Sequence, residues 1–240
     1  MLLSIVILFC DNDYQFLNRA VSSIKEHIKF DDYEIIAVDN REKEKSPINI
    51  ENVKIVSAGN NLGMFEGRRF GFKYTQGKFV WNFDVDDLAI GDLYLEDFKD
   101  VDFIQTYYLY NPESNRKALL DKHLPSAYGA NVWSRYYSRN ILEKAYGLLN
   151  KPVIVPIFED RLLFDLVNSF KPTYDYIERP IYQYNYSNVT NPEEIERRTK
   201  EMGTDSYDYV YIEVLKKPWW ASLLKEKLTN LIRYKKYYGS

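Results

Sequence analysis

No glycine occurs before Gly59, and that absence removes the commonest ways in which an α/β protein holds a nucleotide. A dinucleotide-binding turn needs G-x-G-x-x-G after its first strand, and a phosphate-binding loop needs its own glycines, because backbone must approach phosphate closely. Neither stands at the first strand here. Nucleotidyl transfer from a triphosphate, which relies on a similar glycine-rich turn, is a poor reading for the same reason. Cysteine is as scarce: Cys10 is the only one in 240 residues, which excludes an internal disulfide and thiolate-rich metal sites and suits a reducing compartment. With only His27 and His123, a multi-histidine zinc site is equally remote. Basic charge is not in excess either. The formal net charge of −3 argues against a general nucleic-acid binder. Long hydrophobic runs are missing as well: the apolar stretch from Leu2 to Cys10 is too short to span a bilayer, has no basic leader and meets Asp11 at once. It reads as a buried strand, and the chain is expected to be soluble or peripheral to a membrane.

What is present is a β–α alternation. Four strand candidates, Leu2 to Phe9, Tyr33 to Asp39, Val53 to Ala58 and Lys78 to Phe83, are separated by helical patterns. After the first, Phe16, Leu17, Ala20, Val21, Ile24 and Ile28 form one apolar helix stripe, with Asp11 or Asn12 available as its cap. Near-continuous apolar strands with helices between them predict a mostly parallel sheet covered on both faces. The stretch from Asp102 to about Asn150 is aromatic-rich and less regular. Helices are expected at Asn140 to Leu149 and from Glu159 or Asp160 onward, the latter turning Leu162, Leu163, Leu166 and Val167 inward. Beyond Pro192 the character changes: residues 216–240 hold seven Lys and Arg against one acid, Glu226, interleaved with Trp219, Trp220, Tyr234, Tyr237 and Tyr238.

The segment KFVWNFDVDD runs an apolar strand straight into Asp84, Asp86 and Asp87. Carboxylates at a strand's C-terminal end stand where open α/β sheets bind ligands. Clustered acids repel one another unless a hard cation or hydrogen-bond donors hold them, so Mg²⁺ or Mn²⁺ carrying a phosphate is the natural occupant. The spacing alone decides nothing. Three Asp-x-Asp matches occur, Asp11/Asp13, Asp84/Asp86 and Asp100/Asp102, where about one is expected by chance among 18 Asp. The plainer reading of each is a solvated turn that caps a helix.

Four ordered segments supply the missing context: the first strand, YEIIAVDN, NNLGMFEGRRFGFKYTQGKFVWNFDVDD and FEDRLLF. Together they resemble the family 2 glycosyltransferases of the GT-A fold, the group that builds bacterial polysaccharide and lipopolysaccharide, over roughly residues 1 to 190. The family carries N-x-G-x-x-x-A-R-N-x-G, then A-x-G and a strand closing in D-x-D-D. Asn61, Gly63, Gly67, Arg68, Gly71, Gly77, Asp84, Asp86 and Asp87 take equivalent places, with a one-residue shift at the first Asn. The resemblance implies a GT-A architecture: a single Rossmann-like, mostly parallel sheet flanked by helices. It implies a nucleotide-sugar-binding half over 1–100, an acceptor-binding half over 101–190 and a helical extension over 191–240.

It also implies roles. Asp86, with Asp84 and Asp87, is the metal candidate, since a divalent cation stabilises charge developing on a nucleotide-diphosphate leaving group. Asp39 ends the second strand where the family contacts uracil or ribose, and an acceptor-only carboxylate suits an imide N–H. The usual second Asp is replaced by Asn40, which puts one donor contact in doubt. Asp11 lies near the base-packing position, with helix capping an equal alternative. Arg68 pairs either with a donor phosphate or with the sugar-binding carboxylates. Glu159 and Asp160 match the family's Glu-Asp pair, which makes Asp160 the base of an inverting transfer and Glu159 an acceptor-site residue; both also suit a helix N-terminus. Trp133 and Arg135, in NVWSRYYSRNIL, are the remaining acceptor-side candidates, with core packing the alternative for Trp133. In PIYQYNYSNVT, Asn185 and Ser187 replace the family's Arg and His, so a histidine ligand is lacking there.

The expectation is an inverting, metal-dependent transfer from a nucleotide sugar, UDP-linked by resemblance, to a hydroxyl of a glycan or lipid-linked acceptor, carried out in the cytoplasm or at the inner face of its membrane. The alternative is a non-catalytic binding or membrane-docking protein on the same fold. The basic aromatic tail reads either as a peripheral membrane contact or as a helix packed on the domain or on a second copy.

Overall fold

The computed structural model describes residues 1–11, 13–42, 47–110, 131–185 and 192–238. Asn12, His123 and Ser187 lie outside the described residues. Four parallel strands form the first half: β1 (Leu3–Phe9), β2 (Tyr33–Asp39), β3 (Val53–Ser57) and β4 (Phe79–Asp84). Helix α1 (Leu17–His27) and helix α2 (Gly63–Phe72) connect them from opposite faces. The other half adds β5 (Leu88–Ala89), β6 (Phe103–Tyr110), β7 (Arg135–Ser138) and β8 (Tyr174–Tyr184), giving one eight-stranded sheet in the order β3-β2-β1-β4-β7-β6-β8-β5. β7 runs antiparallel to both β4 and β6, β6 and β8 are parallel, and β5 closes antiparallel on β8.

Every residue of β1 is buried, because the strand is covered on both faces. Its alternate residues enter two cores. Val6 and Leu8 join Ile36, Val38 and Val80 under α2, α3 (Arg139–Gly147) and α4 (Glu159–Asn168), while Ile5, Ile7 and Phe9 join Ala37, Trp81 and Phe83 under α1. The predicted stripe of α1 is the buried one, through Leu17, Ala20, Val21 and Ile24. Its start differs from expectation. A short 3-10 turn, Tyr14–Phe16, precedes it and no side chain caps it, since Asp11 accepts the backbone N–H of Glu42 at 3.0 Å instead.

α2 lies unusually near the sheet because two glycines face it. A Cβ on Gly67 would come within 2.6 Å of the Leu8 side chain, and one on Gly71 within 2.6 Å of both Val6 and Val38. Any larger side chain would lift the helix, and Arg68 with it, away from the strand ends. That close approach gives Gly67 and Gly71 of the matched motif a physical reason.

The C-terminal part packs on this face rather than standing apart. It comprises α5 (Pro192–Met202), α6 (Asp205–Asp208), a π-helical turn at Tyr209–Val214 and α7 (Pro218–Tyr238). Ala221, Leu224 and Leu228 of α7 are buried in the same core as Leu162 and Leu166 of α4. Arg161 of α4 lies 4.0 Å from the ring of Trp220, while Trp219 is 59% exposed. Among the described residues no helix is long and apolar enough to cross a membrane.

Candidate active site

Arg68 is the centre of the site. Its guanidinium is 4% exposed; Nη2 donates to Asp84 Oδ1 at 2.7 Å and Nη1 donates to Asp160 Oδ1 at 2.9 Å, with Glu159 Oε1 at 3.6 Å. The helix held down by Gly67 and Gly71 thus joins the end of β4 to the start of α4. Burial works against the charge on Arg68, but the three acids around it more than offset that and hold it protonated. Those acids remain partly open to solvent, at 19%, 20% and 24% for Asp84, Glu159 and Asp160.

Asp160 stands in the first turn of α4, after Phe158 in the left-handed conformation (φ 62°). Its second oxygen accepts the Val132 N–H at 3.4 Å. Burial raises its pKa to about 7; Arg68 opposes the rise, and Glu159 and Asp84 add to it. A carboxyl whose hold on its proton is strengthened by burial, a quarter exposed and joined through Arg68 to Asp84 at the end of β4, has the properties of a general base.

The acidic junction divides into unlike parts. No helix follows it; the turn closed by Asp87 N–H to Asp84 carbonyl (3.1 Å) leads into β5, so capping does not explain its acids. Asp87 is fully buried, with one oxygen accepting the Asn185 N–H at 2.7 Å and the other the Tyr182 hydroxyl. Burial, aided by the charges of Asp84 and Asp86, raises its pKa to about 9. Asn185 also donates to the Asp86 carbonyl, and Arg19 reaches that carbonyl at 2.6 Å. Asp87 therefore fixes the turn, while Asp84 and the partly exposed Asp86 present carboxylates at its mouth. Among the described residues no three His, Cys, Asp or Glu side chains are grouped so that they could hold a metal by themselves. Tyr182 and Asn185 were not singled out as site residues in the sequence, although PIYQYNYSNVT contains both.

At the end of β2 the carboxylate of Asp39 is already engaged. Arg41 donates to it through Nε at 2.9 Å, Nη2 at 2.9 Å and its backbone N–H at 3.1 Å. The Arg41 guanidinium also lies 5.4 Å from the Tyr14 ring and 5.7 Å from that of Phe9. Nothing in the sequence pattern marked Arg41. Asn40, the departure from the family pattern, has a structural use here: it accepts the Leu62 N–H at 2.7 Å and donates to Asn61 at 2.9 Å, tying β2 to the start of α2.

Trp133 and Arg135, the acceptor-side candidates, are built into the interior. Trp133 is 4% exposed, and its ring stacks on Tyr182 at 4.7 Å and on Tyr184 at 5.0 Å. Arg135 is fully buried, donates to the Asn131 carbonyl at 2.8 Å and to Gln105 at 3.2 Å, and lies over Phe164. A sugar face or a phosphate does not reach side chains placed this way. Their contact is with the walls of the site: the Trp133 stack supports Tyr182, which in turn holds Asp87.

The model of glycosyl transferase family 2 matches residues 4–148, more than half of the chain. The chain belongs to glycosyl transferase family 2. The matched residues hold Asp39, Arg68 and the acidic junction, and the match ends before Glu159 and Asp160. Among solved structures, S. aureus TarS 1-349 in complex with UDP superposes with a TM-score of 0.61 at 15% identity, covering 87% of this chain and 66% of that one. The same fragment in complex with UDP-GlcNAc gives 0.60, at 15% identity and covering 87% and 67%. A structure of S. aureus TarS gives 0.61 at 14% identity, covering 100% of this family 2 chain and 44% of that one. At such identities the likeness speaks for the fold, which is GT-A. The chain spans about two thirds of the 1-349 fragment and less than half of the longer TarS chain. No curated protein matches it.

Proposed function

We propose that this family 2 protein is an inverting, metal-dependent glycosyltransferase. In this reading it moves a sugar from a nucleotide donor, UDP-linked, to a hydroxyl of a glycan or lipid-linked acceptor in cell-surface polysaccharide synthesis. The observation that carries the proposal is the Arg68 bridge, which brings the acid of the donor-side junction, Asp84, and the candidate base, Asp160, onto one guanidinium. Family membership supplies the reaction class, and the UDP and UDP-GlcNAc complexes of TarS support the donor class.

In this mechanism Asp160 takes the proton of the acceptor hydroxyl as its oxygen attacks the anomeric carbon from the face opposite the leaving group. Arg68 holds Asp160 and Asp84 at a fixed separation. Glu159 stands beside the base, on the acceptor side. Mg²⁺ typically uses one or two carboxylates and completes its shell with substrate phosphates and water, so Asp86 and Asp84 fit a cation shared with a diphosphate, without Asp87 and without an all-protein cage. When bound, such a cation neutralises negative charge on the departing diphosphate. Exposed Trp219 on α7, with Lys227 and Arg233, supports peripheral contact with an anionic membrane face as the way to a lipid-linked acceptor.

The test begins with thermal melting of the full chain. UDP with Mn²⁺ should raise the melting temperature, and Asp86→Ala should remove the shift. Mass-detected hydrolysis of a panel of sugar nucleotides then identifies the donor without a known acceptor. If no sugar nucleotide stabilises the wild type in the presence of metal, and none is turned over, the proposal is wrong.

A further inference from the structure

Buried tyrosine hydroxyls of the C-terminal segment hold the domain at three points, one of them three residues before the candidate base. Tyr207, in α6, and Tyr209 and Tyr211, in the π-helical turn that follows, are 0%, 3% and 0% exposed. π-Helical turns are rare and occur frequently at functional sites. This one sends two hydroxyls, and α6 just before it a third, to separate points of the domain. Tyr209 accepts the Asn150 N–H at 2.7 Å and donates to its side chain at 2.9 Å. Tyr211 donates to Asp165 Oδ2 at 2.8 Å, on an acid that Arg161 also holds at 2.7 Å. Tyr207 donates to the Ile157 carbonyl at 2.8 Å.

Only the last of these adjoins the catalytic end of α4. Ile157 precedes Phe158, whose φ of 62° and ψ of 20° put a bulky residue in the left-handed region. That conformation is unfavourable in a residue other than glycine and persists only where the surroundings fix it. On its helix side the Phe158 carbonyl accepts the Leu162 N–H at 3.1 Å. On the other side the fixing bond is the one from Tyr207. Glu159 and Asp160 come next in the chain, so the direction in which this turn leaves the loop sets where Asp160 points.

We propose that Tyr207 is a positioning residue for Asp160, its hydroxyl anchoring the Ile157 carbonyl and, through the left-handed turn at Phe158, the first turn of α4. The proposal rests on the reading of Asp160 as base. It assigns a contribution to catalysis, through the placing of Asp160, to the C-terminal segment. Tyr211 provides an internal control: it too is a buried tyrosine of this segment whose hydroxyl donates, but to the carboxylate of Asp165, more than a helical turn beyond Asp160.

The experiment compares full-length wild type, Tyr207→Phe, Tyr211→Phe and Asp160→Asn. It follows turnover of whichever UDP-sugar in a panel the wild type hydrolyses fastest, together with UDP binding by calorimetry and the melting temperature. Because a misplacement of about 1 Å costs up to ~100-fold in rate, Tyr207→Phe should lower kcat about tenfold. Its donor KM and UDP affinity should stay within about twofold of the wild type, since the lost interaction is absent from donor binding. Tyr211→Phe should lower the melting temperature and leave kcat unchanged. Wild-type kcat in Tyr207→Phe would overturn the proposal, as would equal kcat losses in the two Tyr→Phe variants. Full turnover by Asp160→Asn would remove the base assignment and this proposal with it. Absence of any turnover or UDP binding in the wild type would remove the parent reading.

Discussion

Two arginine–carboxylate pairs stand at the ends of neighbouring segments and are built in opposite ways. Arg41 and Asp39 are two residues apart, and the pair forms within one loop at the end of β2. Arg68 spans 16 residues to Asp84 and 92 to Asp160, so its pair exists only when α2, β4 and α4 have come together. The first fixes a carboxylate locally. The second makes the site contingent on the whole fold, and its three acids stay partly open while the cation is buried.

The largest effect expected from breaking this arrangement is chemical. Asp160→Asn keeps the shape of the side chain and removes the base, so transfer should fall by ~10²–10⁴-fold while UDP binding persists. In the wild type, kcat/KM should rise as pH increases through about 7, because Asp160 must lose its proton to act and burial has raised its pKa to that value. Stopped assays from pH 5 to 9 would show the rise. A flat profile across that range would count against Asp160.

Arg68→Met should have the next largest effect, on stability and on that profile together. Removing one partner of a buried ion pair costs about 3–5 kcal/mol, although the partial exposure of the acids places this case toward the lower figure. Arg68 is also the stronger of the two groups that lower the Asp160 pKa, the other being the Val132 N–H. Its loss should therefore move the rising limb of any residual activity to higher pH. Denaturant melts and the pH profile of the same preparation check both halves.

How much of this was legible in the sequence differs between the two halves of the sheet. The strands of the first half could be read to within a residue: β1, β2 and β4 are mostly buried apolar runs, and β3, where only Val56 is buried, still carries the alternating Val-x-Ile-Val pattern of a strand. β7 is four residues long and β5 only two, and both are defined by pairing with distant partners, which no local pattern reports. The same split holds in the site. Asp84, Asp86 and Asp160 stand out through the ordered segments around them, since acids at strand and helix ends are common by themselves. Tyr182 and Asn185 act through Asp87 from almost a hundred residues away, a contact that local sequence does not report; in sequence Asn185 stands out only as a replacement of the family's Arg. Trp133 and Arg135, left open in sequence between the acceptor side and the core, are buried for a related reason: composition gives the chemistry of a side chain, and only packing decides which way it faces.

Asp87→Asn tests whether the third acid of the junction is structural. Burial and the neighbouring carboxylates raise its pKa from 3.8 to about 9. Between those values the native state keeps a proton that the unfolded chain has released, so wild-type stability should fall as pH rises from about 4 to about 9. Asn is neutral in both states and of similar shape. The variant should flatten that slope and melt higher than the wild type at pH 8, with Mn²⁺-dependent UDP stabilisation retained. Loss of that stabilisation in Asp87→Asn would instead place Asp87 among the metal ligands.

Arg41→Lys should have the smallest effect, and comparison with Arg68→Lys sharpens the contrast between the two pairs. Lysine keeps the charge but makes no bidentate contact, so each variant loses the fork geometry. At position 41 the acid is two residues away and remains near in the unfolded chain, so part of the interaction survives unfolding and the net loss is about 1 kcal/mol. At position 68 a single ammonium cannot meet Asp84 and Asp160 at once with the geometry that the guanidinium provides. That pair has no counterpart in the unfolded chain, and the loss should be larger. Equal shifts in melting temperature for the two variants would mean that Asp39–Arg41 is as much a tertiary contact as the Arg68 bridge, and that the end of β2 is shaped by packing rather than by its own loop.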